Sequence, residues 1–449
     1  MRVKHRSRLG SLQVAADQFG LSSRSGSVLL PELAARLGLE RELSNGLRQL
    51  FSRQPLHDPG RVIVDLATVL VDGGDCVSDL GVLAEQPDLF GQVASQSTAS
   101  RLLHALGERE RGAIRFARRA ARERAWALGA RPATITLDFD AQLVECHTEK
   151  EGGGPHRKGG YGFHPLHCFL DETGEHLAGL LRPGNAGANT AADHIRVLEE
   201  ALAQLPDAVA DRDEPLAILA RSDSAGASHA FAEALRARRI RYSLGYYVDE
   251  RVGQAALALP RRRWRPALDA DGQEEREGAW VAELTDRLDL SGWPEGTRLL
   301  VRKEIPHPGA QLRFTDLDGH RFQCFLTDQP DDDIAGLEAR HRLHARVEDR
   351  IQESQELGLS RLPFQALEPN QSWFELALLA HDLLAWLRLL VLDGELARAK
   401  PKRLRHRLLH VAGRLTRSGR RHTLHLPAAW PWRDQLTSAF ERVTALAPG

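Results

Sequence analysis

The chain has 449 residues, 42% of them hydrophobic and 27% charged, with a formal net charge of −1; this is ordinary globular composition, enough at roughly 100–200 residues per domain for two to four domains or one core with large additions. Cys76, Cys146, Cys168 and Cys324 are scattered and form no CxxC pair, which argues against a zinc knuckle or disulfide framework and for reduced thiols. The basic N-terminus lacks an apolar signal region, and the most apolar stretch, 373–392, contains Glu375, His381, Asp382 and Arg388, so a buried or amphipathic helix is expected rather than a membrane span, in a cytosolic protein.

Residues 1–130 read as helical. LLPELAARLG repeats Leu and Ala at helical spacing and meets Gly38 as a stop, and Ser97 or Thr98 would cap a helix over ASRLLHAL. Residues 77–106 fit two short helices with a turn, a weak helix-turn-helix signal. A basic run, Arg109, Arg111, Arg115, Arg118, Arg119, Arg122 and Arg124, is interleaved with Glu108, Glu110 and Glu123; it reads equally as a phosphate-binding surface or a solvated helix face.

Residues 131–247 change character. TITLDFDAQLVECH alternates as a strand, and FHPLHCFLDETGEHLAGLL reads as a hairpin turning at residues 172–174. A helix capped by Asn189 or Thr190 follows, then a buried strand in LAILARSD, a helix in AGASHAFAEALRARR and a strand in IRYSLGYY. Strand, hairpin, helix, strand, helix, strand is the order of an RNase-H-like α/β core. Residues 248–335, rich in Gly, Pro, Trp and charge, carry short strands at RLLVRKEI, AQLRFTD and HRFQCFLTD and are expected to form an inserted β-rich subdomain. Residues 336–395 return to helix as the second part of the core. Residues 396–449 form a basic C-terminal region with no Asp or Glu over 396–433, a strand at HTLHLP and a final helix.

Asp138 and Asp140 stand two apart on one strand and so share a face, and Asp223 ends a second strand that this order places alongside. Clustered carboxylates repel one another unless a divalent cation lies between them; Mg²⁺ prefers such oxygen ligands, and a pair of ions can activate an attacking oxygen and stabilise a leaving one in phosphodiester chemistry. Taken singly, an Asp at a strand end is more often a turn residue. Spacing does not select Glu348 over Asp349 or Glu353 as a third acid.

The stretch from Asp138 to Asp193, together with RSDSAGA, HARVEDRIQESQELGLSRLPF, NQSWFELALLAHDLLAW and PKRLRHRLLHVAGRLTRSGRR, resembles insertion-sequence transposases of DDE chemistry with an inserted β domain, specifically the "thirteen-eighty" group. The resemblance implies a catalytic and metal-binding triad of Asp140 (followed, as in the family, by a small residue), Asp223 and Glu348, with two Mg²⁺ ions or Mn²⁺ in their place. Glu348 aligns with the Glu of a Tyr-x2-Arg-x3-Glu-x6-Lys signature in which His341, His344 and Gln355 replace the Tyr, Arg and Lys, and Gln142 stands where Thr is expected. DNA contacts are expected from those three positions, from Lys158 and Tyr161 beside the first strand, from Arg263, Trp264 and Arg265 in the insertion (Trp280 and Trp293 being further base-stacking candidates), and from Arg403, Arg405 and Arg407. The implied protein is a bacterial, nucleoid-associated homodimer on paired ends that binds terminal inverted repeats, cuts there and joins the 3′-OH to target DNA. A transposase-derived DNA-binding protein without catalysis and an RNase-H-like nuclease without strand transfer are the alternatives.

Overall fold

A computed structural model describes residues 17–53, 55–187, 189–207, 217–269, 271–307, 309–311 and 316–449. The first sixteen residues and most of AQLRFTD lie outside the described residues.

The predicted β-rich stretch begins where β-branched and apolar residues alternate, at strand β2 (Ile135–Ala141). After the short β3 (Val144–Glu145), β4 (Gly154–His156) and β5 (Gly160–Phe163), which make a small sheet of their own, the hairpin follows as β6 (Leu166–Leu170) and β7 (His176–Leu180). A helix (Ala191–Gln204), β8 (Ile218–Ser222), a helix (His229–Ala237) and β9 (Arg241–Tyr246) complete the run. The pairing order is β7-β6-β2-β8-β9, with β2, β6 and β7 antiparallel and β8 and β9 parallel to β2.

Alternation along β2 sends Phe139 to one face, where its ring lies 5.3 Å from that of Phe231 and 6.5 Å from that of His194 on the two crossover helices. Asp138 and Asp140 therefore point to the other face. That face is covered by the helices Arg346–Ser354 and Leu367–Leu390.

Strands β10 (Arg265–Leu268), β11 (Glu275–Glu283), β12 (Arg298–Glu304) and β14 (His320–Thr327) do not stand apart as a separate sheet. They continue the main sheet in the order β10-β11-β12-β14, with β14 antiparallel to β9 and the two-residue β13 (Asp316–Leu317) paired to β14. They do carry a small core of their own, Ala267, Val281, Leu300 and Phe325 with Ile334 and Leu337 of the helix Ile334–Arg342.

The N-terminal helices Leu29–Arg36, Pro59–Val71, Gln96–Ala105 and Glu108–Ala125 gather around Leu367–Leu390, which is buried on nearly every side, and Leu39–Leu47 packs on Pro59–Val71 and Glu108–Ala125. An all-round apolar helix is stable only in such a position. Its charges meet arginines of Glu108–Ala125: Arg111 with Glu368 at 2.7 Å, Arg115 with Glu375 at 2.6 Å, and Arg118 and Arg122 with Asp382 at 2.9 and 2.7 Å. The acids are spaced by seven residues, about two helical turns, so each faces the same neighbour. Most of the 109–124 arginines are thus engaged inside the protein: Arg119 pairs with Asp207, and Arg124 donates to the carbonyls of Ala447 and Pro448.

The two ends of the chain pack together. Strand β1 (Leu21–Ser22) pairs with β15 (Gly413–Ser418), which forms a hairpin with β16 (Arg421–His425). Ser25 and Gly26 donate to the carbonyls of Val411 and Leu409, both at 3.1 Å. A Cβ on Gly26 would stand 1.9 Å from the carbonyl oxygen of Leu408, so only glycine permits this approach. Elsewhere the helix predicted over ASRLLHAL begins three residues earlier, at Gln96, because Ser95 is the residue whose hydroxyl accepts from Thr98 N. Thr190 caps the Ala191 helix with its backbone while its hydroxyl bonds to Gly187 O. Residues 77–106 hold three four-residue helical turns before Gln96–Ala105 in place of two helices. Among the described residues no helix is long and apolar enough to cross a membrane.

Candidate active site

In the parallel pair β2/β8, Asp138 is level with Arg221 and Phe139 with Ser222. The next step therefore sets Asp140 beside Asp223, just past the end of β8, at the strand spacing of about 4.8 Å. The sequence folds this way because β8 runs out into a turn: Asp223 Oδ1 accepts from Ala225 N at 2.9 Å. Strand β9 can close on that turn because residue 245 is Gly; a Cβ there would lie 2.8 Å from Asp223 C and Ser224 N.

Below this level lies a buried ionic layer. Arg221 donates to both oxygens of Asp138, at 2.8 and 2.6 Å, and to Asp171 at 2.8 Å, and also caps the carbonyl of Arg340. His344 Nδ1 bonds to Asp138 at 3.0 Å. Burial opposes charge on Asp138, but the hydrogen bonds from His344 and Arg221 outweigh it and hold this carboxyl below the usual carboxylate range. For His344 the bond to Asp138 and the charges of Asp138 and Asp140 outweigh burial and raise its pKa. Its Nε2 is buried and has no partner among the described residues.

Asp140 stands in the opposite condition. Burial pushes its carboxyl up to about 6; His344 and the Ala141 N–H ease this, while the charges of Asp223 and Glu348 add to it. Asp223 and Glu348 thus lie near enough to Asp140 to add to that rise. Their oxygens do not all close to within 4.8 Å; among the described residues the group that does so is Asp75, Cys76 and Asp79. In that turn Asp79 caps the N–H groups of Asp75 and Cys76, and Asp75 pairs with Arg361.

Glu348 and Asp223 are exposed and Asp140 half-buried. Glu348 has no ion-pair partner among the described residues, whereas its two rivals do: Asp349 pairs with Lys400 at 2.7 Å and Glu353 with Arg388 at 2.9 Å. Two grooves meet at Asp223. One, of about 430 Å³, also touches Glu348, His341, His344, Arg302 and Cys324. The other, of about 450 Å³, also touches Asp140, His156, Arg157, Lys158 and His194. Tyr247 lines both.

The profile of the family described as Transposase DDE domain group 1 matches residues 6–448. The chain belongs to this family. No curated protein matches it. A solved structure, "Cryo-EM structure of piggyBac transposase synaptic complex with hairpin DNA", is similar at 11% identity and a TM-score of 0.41, over 94% of this chain and 83% of that one; so loose a likeness carries no argument.

The other residues singled out in this DDE-family chain are placed as follows. His341 shares a hydrogen bond with Ser243 at 2.8 Å and stacks on Phe325 with centroids 4.2 Å apart, and burial lowers its pKa to about 3. Gln355 ends the Glu348 helix, half-buried. Gln142 is buried, and neither of its amide atoms has a partner among the described residues. Lys158 is exposed in the Asp140 groove, while the Tyr161 hydroxyl donates to Lys150 O at 3.1 Å. Arg263 pairs with Asp286, Arg265 is exposed, and Trp264 is half-buried with Lys303 Nζ 4.2 Å above its ring. Trp280 shares that lysine, and Trp293 packs on His229.

Arg403 is exposed, and Arg407 pairs with Glu395 and lies over Trp432. Arg405 donates to the carbonyls of Val71, Leu70 and Glu356 and so clamps two segments of the fold. Its guanidinium faces inward, in contrast to the phosphate contact expected from the run. Exposed cations of this region include Arg403 and, on the β15–β16 hairpin, Arg414, Arg417, Arg420 and Arg421. The Asp138–Arg221–His344 layer was missed as a unit; the available signal was Arg two residues before Asp223 and Asp two before Asp140, matched in register.

Proposed function

We propose that this chain is a DDE transposase of the "thirteen-eighty" insertion-sequence group, acting on terminal inverted repeats by phosphodiester cleavage and 3′-OH transfer, as a homodimer on paired ends in the bacterial nucleoid. The observation that carries the reading is the strand register that sets Asp140 beside Asp223, with Glu348 lining a groove that opens at Asp223. The order β7-β6-β2-β8-β9, with its antiparallel hairpin and two parallel strands, supports an RNase-H-like core continued by the insertion strands.

Fit to a divalent cation is tested by Asp140 itself. A half-buried carboxyl raised toward 6 by burial and by two further acids is an oxygen-donor set that a hard cation neutralises. Asp140, Asp223 and Glu348 would hold Mg²⁺, one ion or two, or Mn²⁺ in its place. Bound there, the ions supply activation of water or a 3′-OH and stabilisation of the departing oxygen. The protein's own groups do the rest. Arg221 and Asp138 fix β2 against β8. His344, held by Asp138, lines the groove on the Glu348 side and brings an imidazole of raised pKa there, where the family signature has Arg. Lys158, with Arg157, faces the backbone along the Asp140 groove. Arg263, Trp264 and Arg265 lie along the insertion, and Gln355 presents an uncharged amide beyond Glu348. The exposed arginines of β15–β16, with Arg403 and Arg407, supply phosphate contacts distant from the reaction.

Excision of the element from a supercoiled plasmid in Mg²⁺ tests the reading, and loss of excision in Asp223→Asn is expected. The separation of the three carboxylates beyond 4.8 Å favours one other reading, a DNA-binding protein without catalysis; end binding with no strand breakage by the wild type would establish it.

A further inference from the structure

Tyr247 is the first residue past β9. It is 60% exposed, and among the described residues its side chain makes no hydrogen bond and no ring contact. Its neighbour Tyr246 behaves oppositely, half-buried with its ring 6.0 Å from that of Trp293. An aromatic ring left open to water forgoes a large apolar contact, and this one stands where the groove on the Glu348 side and the groove on the Asp140 side meet. Gly245, two residues earlier, brings β9 against the Asp223 turn, and Asp223 and Tyr247 line both grooves.

We propose that Tyr247 is a positioning residue that stacks on one nucleobase next to the scissile phosphate, fixing which phosphate lies over Asp223. The inference rests on the DDE reading above. A strand running from one groove to the other has to cross the end of β8 and β9, where Asp223 and Tyr247 are the side chains shared by both. The carboxylate is the wrong partner for a base face and the ring is the wrong partner for a phosphate, so the two divide the nucleotide between them. Stacking on an aromatic ring is tolerant of base identity, so Tyr247 sets register rather than sequence preference. The ring, and not the hydroxyl, carries this role.

The test uses duplexes bearing the element's terminal sequence, each with 2-aminopurine or an abasic site at one position in turn around the cleavage point. Wild type is expected to quench 2-aminopurine at a single position. Tyr247→Ala should lose that quench, bind the intact duplex about tenfold more weakly, within the range of one base–aromatic stack, and cut at more than one phosphate. Tyr247→Phe should behave as wild type. With the abasic duplex at the quenched position, wild type and Tyr247→Ala should bind equally. A Tyr247→Ala protein that melts as wild type and keeps its affinity and a single cleavage position overturns the proposal, as does an equal deficit at every abasic position. If wild type fails to cut and Asp140→Asn changes nothing in metal dependence, the DDE reading itself fails, and the stacking role with it.

Discussion

Arg221 and Asp138 lock together through two hydrogen bonds of 2.8 and 2.6 Å, two residue levels below Asp140 and Asp223, which stand just past the end of the same parallel ladder. Both side chains are buried, and His344 and Asp171 complete the set. Removing one partner of a buried pair strands the other, which costs about 3–5 kcal/mol. Asp138→Ala and Arg221→Met are each expected to lower stability by that order in urea melts. A decrease below about 1 kcal/mol in both would mean that water reaches this layer and that it does not fix the strands.

Asp140 is expected to show the reverse. A carboxyl whose folded pKa is raised destabilises the fold: the penalty is absent below the ordinary 3.8, grows through the interval up to about 6 and is complete above it. The full interval corresponds to at most about 3 kcal/mol. Without divalent metal at pH 7, Asp140→Asn should therefore melt higher than wild type. Adding Mg²⁺ should raise the wild-type Tm and leave the variant nearly unmoved. A variant that melts lower in EDTA would contradict this account of the site.

An interior histidine cluster predicts acid sensitivity. His167 and His176 share a hydrogen bond of 3.0 Å, and Ser354 bridges His176 to His381. Burial lowers all three, His167 to about 3, His381 to about 4 and His176 well below its usual value. The unfolded chain binds these protons near 6.5, whereas folded His167 does so only near 3 and His381 only near 4, and His176 well below its usual value. The stability they confer is complete above 6.5 and is lost as pH falls toward the folded values. At pH 5 the decrease is about 2 kcal/mol each for His167 and His381. Urea melts between pH 8 and 5 should fall accordingly, and His167→Gln should flatten the profile; an unchanged slope in that variant would place the acid sensitivity elsewhere.

The basic C-terminal region should separate into two functions. Arg405→Ala removes the side-chain donor from the carbonyls of residues 70, 71 and 356, of which that of Leu70 keeps the Gly73 N–H, and should cost on the order of 2–4 kcal/mol of stability. Neutralising Arg414, Arg417 and Arg421 together should leave the melt unchanged while weakening DNA binding of every sequence. For every phosphate that the variant no longer neutralises, the log–log salt slope should fall by about 0.9. An unchanged slope would make the hairpin a solvated face.

The core was legible because its strands announce themselves: TITLDFD alternates, and LAILARSD is apolar until it meets charge, so β2, β8 and the two aspartates fell where expected. Glu348 was not separable from Asp349 and Glu353 by spacing, since all three lie on one charged helix. What separates them is tertiary: Lys400 and Arg388 occupy the other two. The Arg109–Arg124 run shows the same limit from the other side. Arg111, Arg115, Arg118 and Arg122 find acids more than 250 residues away in the helix Leu367–Leu390, and no local pattern reveals that a charged face will be covered by another. Nor did composition show that the insertion strands would continue the main sheet, because an exposed edge on β9 is a property of the assembled fold.

The central claim is that Asp140, Asp223 and Glu348 act as one set. Its most direct test is single-turnover cleavage of an end-bearing duplex in Mg²⁺, comparing wild type with Asp140→Asn, Asp223→Asn, Glu348→Gln, Asp349→Asn and Glu353→Gln, each first shown to bind the duplex. The account predicts that the first three lose cleavage at least a hundredfold, about 2.7 kcal/mol or more in the barrier, that Asp349→Asn cuts as wild type, and that Glu353→Gln is altered only in stability. Cleavage at the wild-type rate by Glu348→Gln, with its loss in Asp349→Asn or in folded Glu353→Gln, would contradict it.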